Sequence, residues 1–206
     1  MSALAKTDAK YVYVFAHGAG AGMNHPFMQR AAEALEARGI ATHRFEFPYM
    51  QAKKNRPDPP AVAEEAVRTA VAEAARQAPG LPIFAGGKSF GGRMASQAQA
   101  SQPMPGVRGL VFFGFPLHPP GRPATTRAEH LTSVDVPMLF LQGTRDEFAQ
   151  LDLLRQVIAG LGDRATLHLI QEGDHSFKVP RRTGKTETDV MNELADTVSE
   201  WTAKHA

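Results

Sequence analysis

Short apolar runs alternate along the chain with longer segments whose apolar residues recur at helical spacing. The runs over 11–16, 41–47, 81–85, 109–113, 137–142 and 165–170 are the candidate strands, and their alternation with helical segments is the signature of a parallel sheet covered by helices on both faces. They predict strands covered on both sides. The fold class that follows is α/β, a three-layer α/β/α sandwich with a mostly parallel sheet of about six strands.

Between the runs, Phe27, Ala31, Ala34 and Leu35 share one helical face over 26–38, and Gly39 follows as a helix stop. Asp58-Pro59-Pro60 reads as a cap with proline in the first turn, opening a helix over 61–77 in which Val62, Val67 and Val71 are expected to face inward. Further helices are expected over 89–102, 148–161 and 186–204. Two segments resist this scheme, 48–57 and the proline-rich 115–132, and both follow the C-terminal ends of strands. That is the edge where open α/β sheets bind ligands. Phe115, Leu117 and His118 are therefore expected to form a substrate wall, with Met50 from the other loop. Crossovers that run in opposite directions would put a topological switch point between the first and third strands. No internal repeat is visible.

Composition narrows the function classes. The 206 residues are 43% hydrophobic and 21% charged, which suits one globular domain over 1–206. The formal charge is only +2 and the basic residues are scattered, so no nucleic-acid partner is implied. The densest basic stretch, Arg181, Arg182 and Lys185, reads as a solvated loop. The absence of cysteine removes disulfides, thiolate metal sites and cysteine nucleophiles. The first six residues lack the apolar core of a signal peptide, and no apolar run approaches the roughly 20 residues of a membrane span. The expectation is a cytoplasmic protein with no membrane partner, no cofactor and no metal, its oligomeric state left open.

The chemistry enters at the third strand, which runs into Gly86-Gly87-Lys88-Ser89-Phe90-Gly91-Gly92 and then a helical pattern. This is G-x-S-x-G in a strand–turn–helix context, where the serine sits on a strained turn and its flanking residues must be small for strand and helix to approach. A bland alternative is a glycine-rich turn with serine as an incidental cap. Serine is a weak nucleophile at neutral pH, so it needs a base, and the base needs a group that fixes its orientation. In such an arrangement these partners come later in the chain, in the order serine, acid, histidine. The fifth strand is followed by Gly143-Thr144-Arg145-Asp146-Glu147, and the sixth by Gly173-Asp174-His175-Ser176-Phe177. His175 is the candidate base and Asp146 the candidate acid, with Glu147 as the alternative. Asp174 is expected to be structural.

Acyl transfer also needs donors aimed at the developing oxyanion. The amide of Phe90, just after the nucleophile, is one candidate. The other is expected from His17-Gly18-Ala19-Gly20-Ala21-Gly22, with Ala19 preferred and Gly18 or Gly20 as alternatives. His17 is expected to make a structural bond beneath that loop.

At these residues the sequence resembles the α/β-hydrolase superfamily over nearly the whole chain from Tyr11. The segments His17-Gly18-Ala19-Gly20, Gly87-Lys88-Ser89-Phe90-Gly91-Gly92-Arg93 and Phe115-Pro116-Leu117-His118-Pro119-Pro120-Gly121 look like its compact branch near the dienelactone hydrolases. The resemblance implies a minimal α/β-hydrolase fold without a cap domain, its two leading strands missing or reduced to the short segment before Tyr11. It implies a serine hydrolase of carboxylesterase or thioesterase type acting on a small soluble acyl ester. Dienelactone hydrolases use a cysteine nucleophile, so their activity does not carry over to this cysteine-free chain. The branch also includes a domain in a subunit of a metazoan histone-acetyltransferase complex, which supplies the alternative of a catalytically silent scaffold or partner-binding protein.

Two phosphate-binding readings fail on spacing. A P-loop ending in Gly87-Lys88-Ser89 requires glycine where Pro82 stands. Met23 breaks G-x-G-x-x-G in the first glycine-rich loop.

Overall fold

All six apolar runs become strands of one parallel sheet, in the order β2-β1-β3-β4-β5-β6. The strands are β1 (Tyr11–Ala16), β2 (Ile40–Phe45), β3 (Ile83–Lys88), β4 (Val107–Phe113), β5 (Met138–Gly143) and β6 (Ala165–Ile170). They alternate with the helices α1 (Pro26–Glu36), the short α2 (Pro48–Gln51), α3 (Pro60–Gln77), α4 (Phe90–Ser101), α5 (Leu151–Leu161) and α6 (Glu187–His205). This computed structural model describes residues 8–206. Among them no helix is long and apolar enough to cross a membrane. Residues 1–7, on which the leader reading and part of the question of extra leading strands fall, lie outside the described residues.

Strand side chains alternate between the two sheet faces, and each face has its own core. Val12, Val14, Leu110, Phe112, Met138 and Phe140 meet buried residues of α3, α4 and α5, whereas Tyr13, Phe15, Val111, Phe113, Leu139 and Leu141 meet α1 and α6. Full burial of each large apolar side chain contributes about 1.5–3 kcal/mol. The α1/α6 face is aromatic near the carboxyl ends of the strands, where Phe27 lies 6.0 Å from both Phe113 and Phe177. Pairing of β1 with β2 on one side and β3 on the other sets the switch point between β1 and β3. Both glycine-bearing turns of the sequence open at that crevice.

Several local readings need correction. Val62 is 44% exposed, because the buried face of α3 is Ala63, Val67, Ala70, Val71 and Ala74, and five residues of helix separate Val62 from Val67 by well over a quarter turn. Asp58 does not cap α3, whose cap position is Pro59; its carboxylate accepts instead from Tyr49 N at the start of α2, at 2.7 Å. Residue 148 precedes α5 rather than opening it, since 144–150 form the loop that carries Asp146. The segment 115–132 folds onto the core, with Phe115, Leu117 and Leu131 fully buried, and ends in a 3₁₀ helix, Thr126–Ser133. No cap domain is inserted there. The basic stretch is solvated as expected, with Arg182 paired to Glu172 and Lys185 to Glu193.

The strand–helix turn at Ser89 is the local feature on which the site rests. Ser89 occupies the cap position of α4 at φ 49° and ψ −114°, a conformation that L-residues avoid and that costs of order 1–3 kcal/mol. It is held because β3 and α4 both press against the end of β1: a Cβ on Gly87 or Gly91 would collide with the carbonyl oxygen of Ala16. Gly91→Ala is expected to lower the free energy of unfolding by roughly 1–3 kcal/mol in urea denaturation, the range of core overpacking. Parental stability in that variant would show that the turn can relax.

Candidate active site

Three loops converge at the carboxyl edge of the sheet, one each after β3, β5 and β6, and they bring Ser89, Asp146 and His175 together. Ser89 Oγ lies 2.8 Å from His175 Nε2, and His175 Nδ1 lies 2.7 Å from Asp146 Oδ2. A carboxylate can only accept, so Nδ1 carries the proton and Nε2 is free to accept from the serine hydroxyl. Of the two neighbouring acids, Asp146 makes this contact, while Glu147 is exposed.

Asp146 is buried, and an ionised carboxylate there needs several donors. Oδ1 accepts from Phe148 N at 2.8 Å, and Oδ2 accepts from Gln142 Nε2 as well as from His175. Gln142 in turn accepts from Phe115 N at 2.9 Å through its own carbonyl, which fixes which end of the amide faces Asp146. Asp174 is structural, as expected: Oδ1 accepts from Ser176 N at 2.8 Å and Lys178 N at 2.9 Å, holding the turn that presents His175.

The glycine-rich loop after β1 lies against the nucleophile, so that a Cβ on Gly18 would sit 3.9 Å from Ser89 Cβ. His17 is buried beneath it and is neutral. Burial lowers its pKa, its Nε2 accepts from Phe47 N at 3.1 Å, and the remaining ring N–H donates to Gly18 O at 2.9 Å. The amide of Phe90 is the first of α4 and has no acceptor within the helix.

Ser89, His175, Gly18 and Ala19 all line one cavity of about 600 Å³ that continues between α1 and α6. Its walls are Phe27, Met28, Phe148, Phe177, Val190 and Met191, together with Lys88 from the end of β3. The wall predicted from the sequence is not there. Phe115 and Leu117 are buried in the opposite core, where Phe115 packs 5.3 Å from Phe112, because the segment after β4 turns toward α4 and α5 rather than toward the nucleophile. His118 is also buried; it clamps the Asp146 loop from behind, its Nε2 accepting from Gln150 N at 2.8 Å and its own amide donating to Phe148 O at 2.9 Å. Met50 packs against that same core.

The reading of the sequence missed Gln142, Phe148 and Lys88. Gln142 carries a signal, a lone polar residue ending an apolar strand. Lys88 carries another, a charge in the last position of a buried strand. Phe148, whose ring lies 4.3 Å from the His175 imidazole, carries none.

A model of the α/β-hydrolase domain matches residues 9–203. Among solved structures, a dienelactone hydrolase from Anabaena variabilis superposes with a TM-score of 0.75 at 20% identity, over 97% of this chain and 88% of that one. A lid-less α/β serine hydrolase from Xanthomonas campestris gives 0.72 at 22% identity, over 96% and 86%. A monoacylglycerol lipase from Paleococcus ferrophilus gives 0.71 at 15% identity, over 95% of each chain. With the fold, the strand order and the family model in agreement over nearly its whole length, the chain belongs to the α/β-hydrolase family.

Proposed function

We propose that this protein is a serine hydrolase of esterase or thioesterase type that acts on a small acyl ester through an acyl-enzyme. The observation that carries the reading is the continuous contact chain from Ser89 through His175 to the buried Asp146. Ser89 Oγ attacks the ester carbonyl while His175 Nε2 takes its proton, and Asp146 holds the ring and stabilises the imidazolium. The amides of Phe90 and Ala19 donate to the oxyanion. The tetrahedral adduct collapses, the C–O or C–S bond breaks, and the leaving alcohol or thiol takes the proton from His175. Water then repeats the sequence in reverse roles and releases the acid. The lid-less geometry favours substrates that reach the site from solution, and the family membership favours hydrolysis over binding alone.

Ser89→Ala is expected to lower hydrolysis of p-nitrophenyl acetate by at least about a thousandfold and to abolish labelling by a fluorophosphonate probe, with an unchanged circular dichroism spectrum. Undiminished turnover would overturn the assignment, and a parent protein that the probe does not label would favour a silent scaffold. Asp146→Asn is expected to cost about 10⁴-fold in kcat, because the amide stabilises the wrong imidazole tautomer, whereas Glu147→Gln stays within about twofold of the parent. The reverse order in steady-state kinetics would transfer the role to Glu147.

A further inference from the structure

The residue before the nucleophile is a lysine whose position follows from strand geometry. Phe84 and Lys88 share the face of β3 covered by α1 and α6, so the Lys88 side chain descends from the turn into the aromatic end of that core. Its Nζ donates to the His175 carbonyl oxygen at 2.6 Å and lies 5.8 Å and 5.6 Å from the ring centroids of Phe27 and Phe177. Room is left for it by Gly114, at φ +71°, where a Cβ would come within 3.0 Å of Nζ and 3.4 Å of the His175 ring. The ammonium thus stands beside the imidazole and on the wall of the cavity that holds Ser89.

An ammonium has three N–H donors, and among the described residues the His175 carbonyl is the one acceptor that Nζ finds. Asp146 and Asp174 act on it only as charges at longer range, and burial pushes its pKa down to about 8. It still carries its proton at neutral pH. The other charges on the wall are Arg30, Lys178 and Glu187, and the single acid faces Arg30 at 3.5 Å rather than Lys88. The crevice between α1 and α6 is therefore apolar along Met28, Val190 and Met191, with an excess of positive charge and one enclosed cation that, among the described residues, no carboxylate contacts directly. A desolvated cation of this kind is matched by an anionic ligand group.

We propose that this crevice is an acyl subsite for short acyl groups ending in a carboxylate, monoesters or monothioesters of dicarboxylic acids, with Lys88 pairing the free carboxylate while Ser89 engages the ester. The inference rests on the esterase reading above and names its substrate class.

The test compares monoethyl glutarate with ethyl valerate by kcat/KM for ethanol release at pH 7. The anionic ester is expected to be preferred by about tenfold or more, the worth of a charge-assisted hydrogen bond. In Lys88→Met the ratio of the two falls to about one, whatever the substitution does to the neutral ester. In the parent protein the ratio also falls as pH is raised from 7 to 9.5, because Lys88 loses its proton near 8 while the titration of the shared machinery cancels between substrates. The groups facing Lys88 are His175, Asp146 and Asp174, with His25, Arg30, Lys178 and Glu187 across the crevice. The pH series is therefore repeated in Lys178→Gln, where the fall persists. Equal turnover of the two esters, or a ratio that survives Lys88→Met, would overturn the subsite and leave Lys88 as a pin for the His175 main chain. Binding of the same two esters to the Ser89→Ala protein by NMR titration separates the two claims. Lys88-dependent binding of monoethyl glutarate without hydrolysis by the parent keeps the subsite and removes the esterase reading, whereas hydrolysis of both esters without preference does the opposite.

Discussion

The buried carboxylate of Asp146 is the constraint around which the carboxyl edge of the sheet is arranged. An anion removed from water is stable only if donors replace its hydration, and Asp146 receives them from three separate elements: the Gln142 side chain in β5, the Phe148 amide in its own loop and the His175 ring from the loop after β6. Each donor fixes something else in turn. Gln142 ties in the Phe115 amide and so the path of the chain after β4. The Phe148 loop is held from behind by His118. His175 is oriented with Nε2 toward Ser89. The buried charge thus couples four loops that the fold brings to one edge but does not by itself align.

The sheet was legible in the sequence because short strands, the inner ones buried on both faces, alternate with helical segments, and the three candidate residues were legible because each lies in the loop or turn after such a strand. Strand ends shifted by one to three residues, most usefully at β3, which continues to Lys88 and so places that lysine in the sheet rather than in the turn. Val62 was misplaced because an alanine-rich helix has little contrast between its faces, and Ala63 rather than Val62 meets the core. The substrate wall was misplaced for a different reason. The rule that ligands bind at the carboxyl edge of strands selects the edge but not the side, and Phe115, Leu117 and His118 carry no local signal that they turn toward α4 and α5. Phe115 and Leu117 serve the core, and His118 clamps the Asp146 loop through its hydrogen bonds.

Phe27, Phe148 and Phe177 illustrate what a single chain hides. Phe27 comes from the start of α1, and Phe148 and Phe177 come from the loops after β5 and β6 more than a hundred residues later, and only the sheet brings them around His175 and Lys88. No spacing rule links them. The first and last of them also face each other across the crevice between α1 and α6, so the helices that cover the aromatic core shape the cavity as well.

Charge balance explains why a lysine can stand so close to the histidine that accepts a proton in the proposed mechanism. Lys88 and the imidazolium formed in the proposed mechanism are like charges, and like charges repel more strongly where water is excluded. The charge of Asp146 acts on Lys88, and in the proposed mechanism the same anion stabilises the imidazolium. On the proposed mechanism a negative oxyanion forms at the same moment as the imidazolium, so the tetrahedral state contains two cations and two anions within one enclosed site. In the resting site Lys88 and Asp146 already offset one another, and proton transfer adds a second pair of opposite sign. Removing Lys88 would leave the resting site with one uncompensated buried anion. The lysine beside the nucleophile therefore belongs to the electrostatics of the whole constellation, and any carboxylate it binds from an acyl chain has to enter against Asp146, at the far side of the ammonium where the crevice is lined by apolar groups.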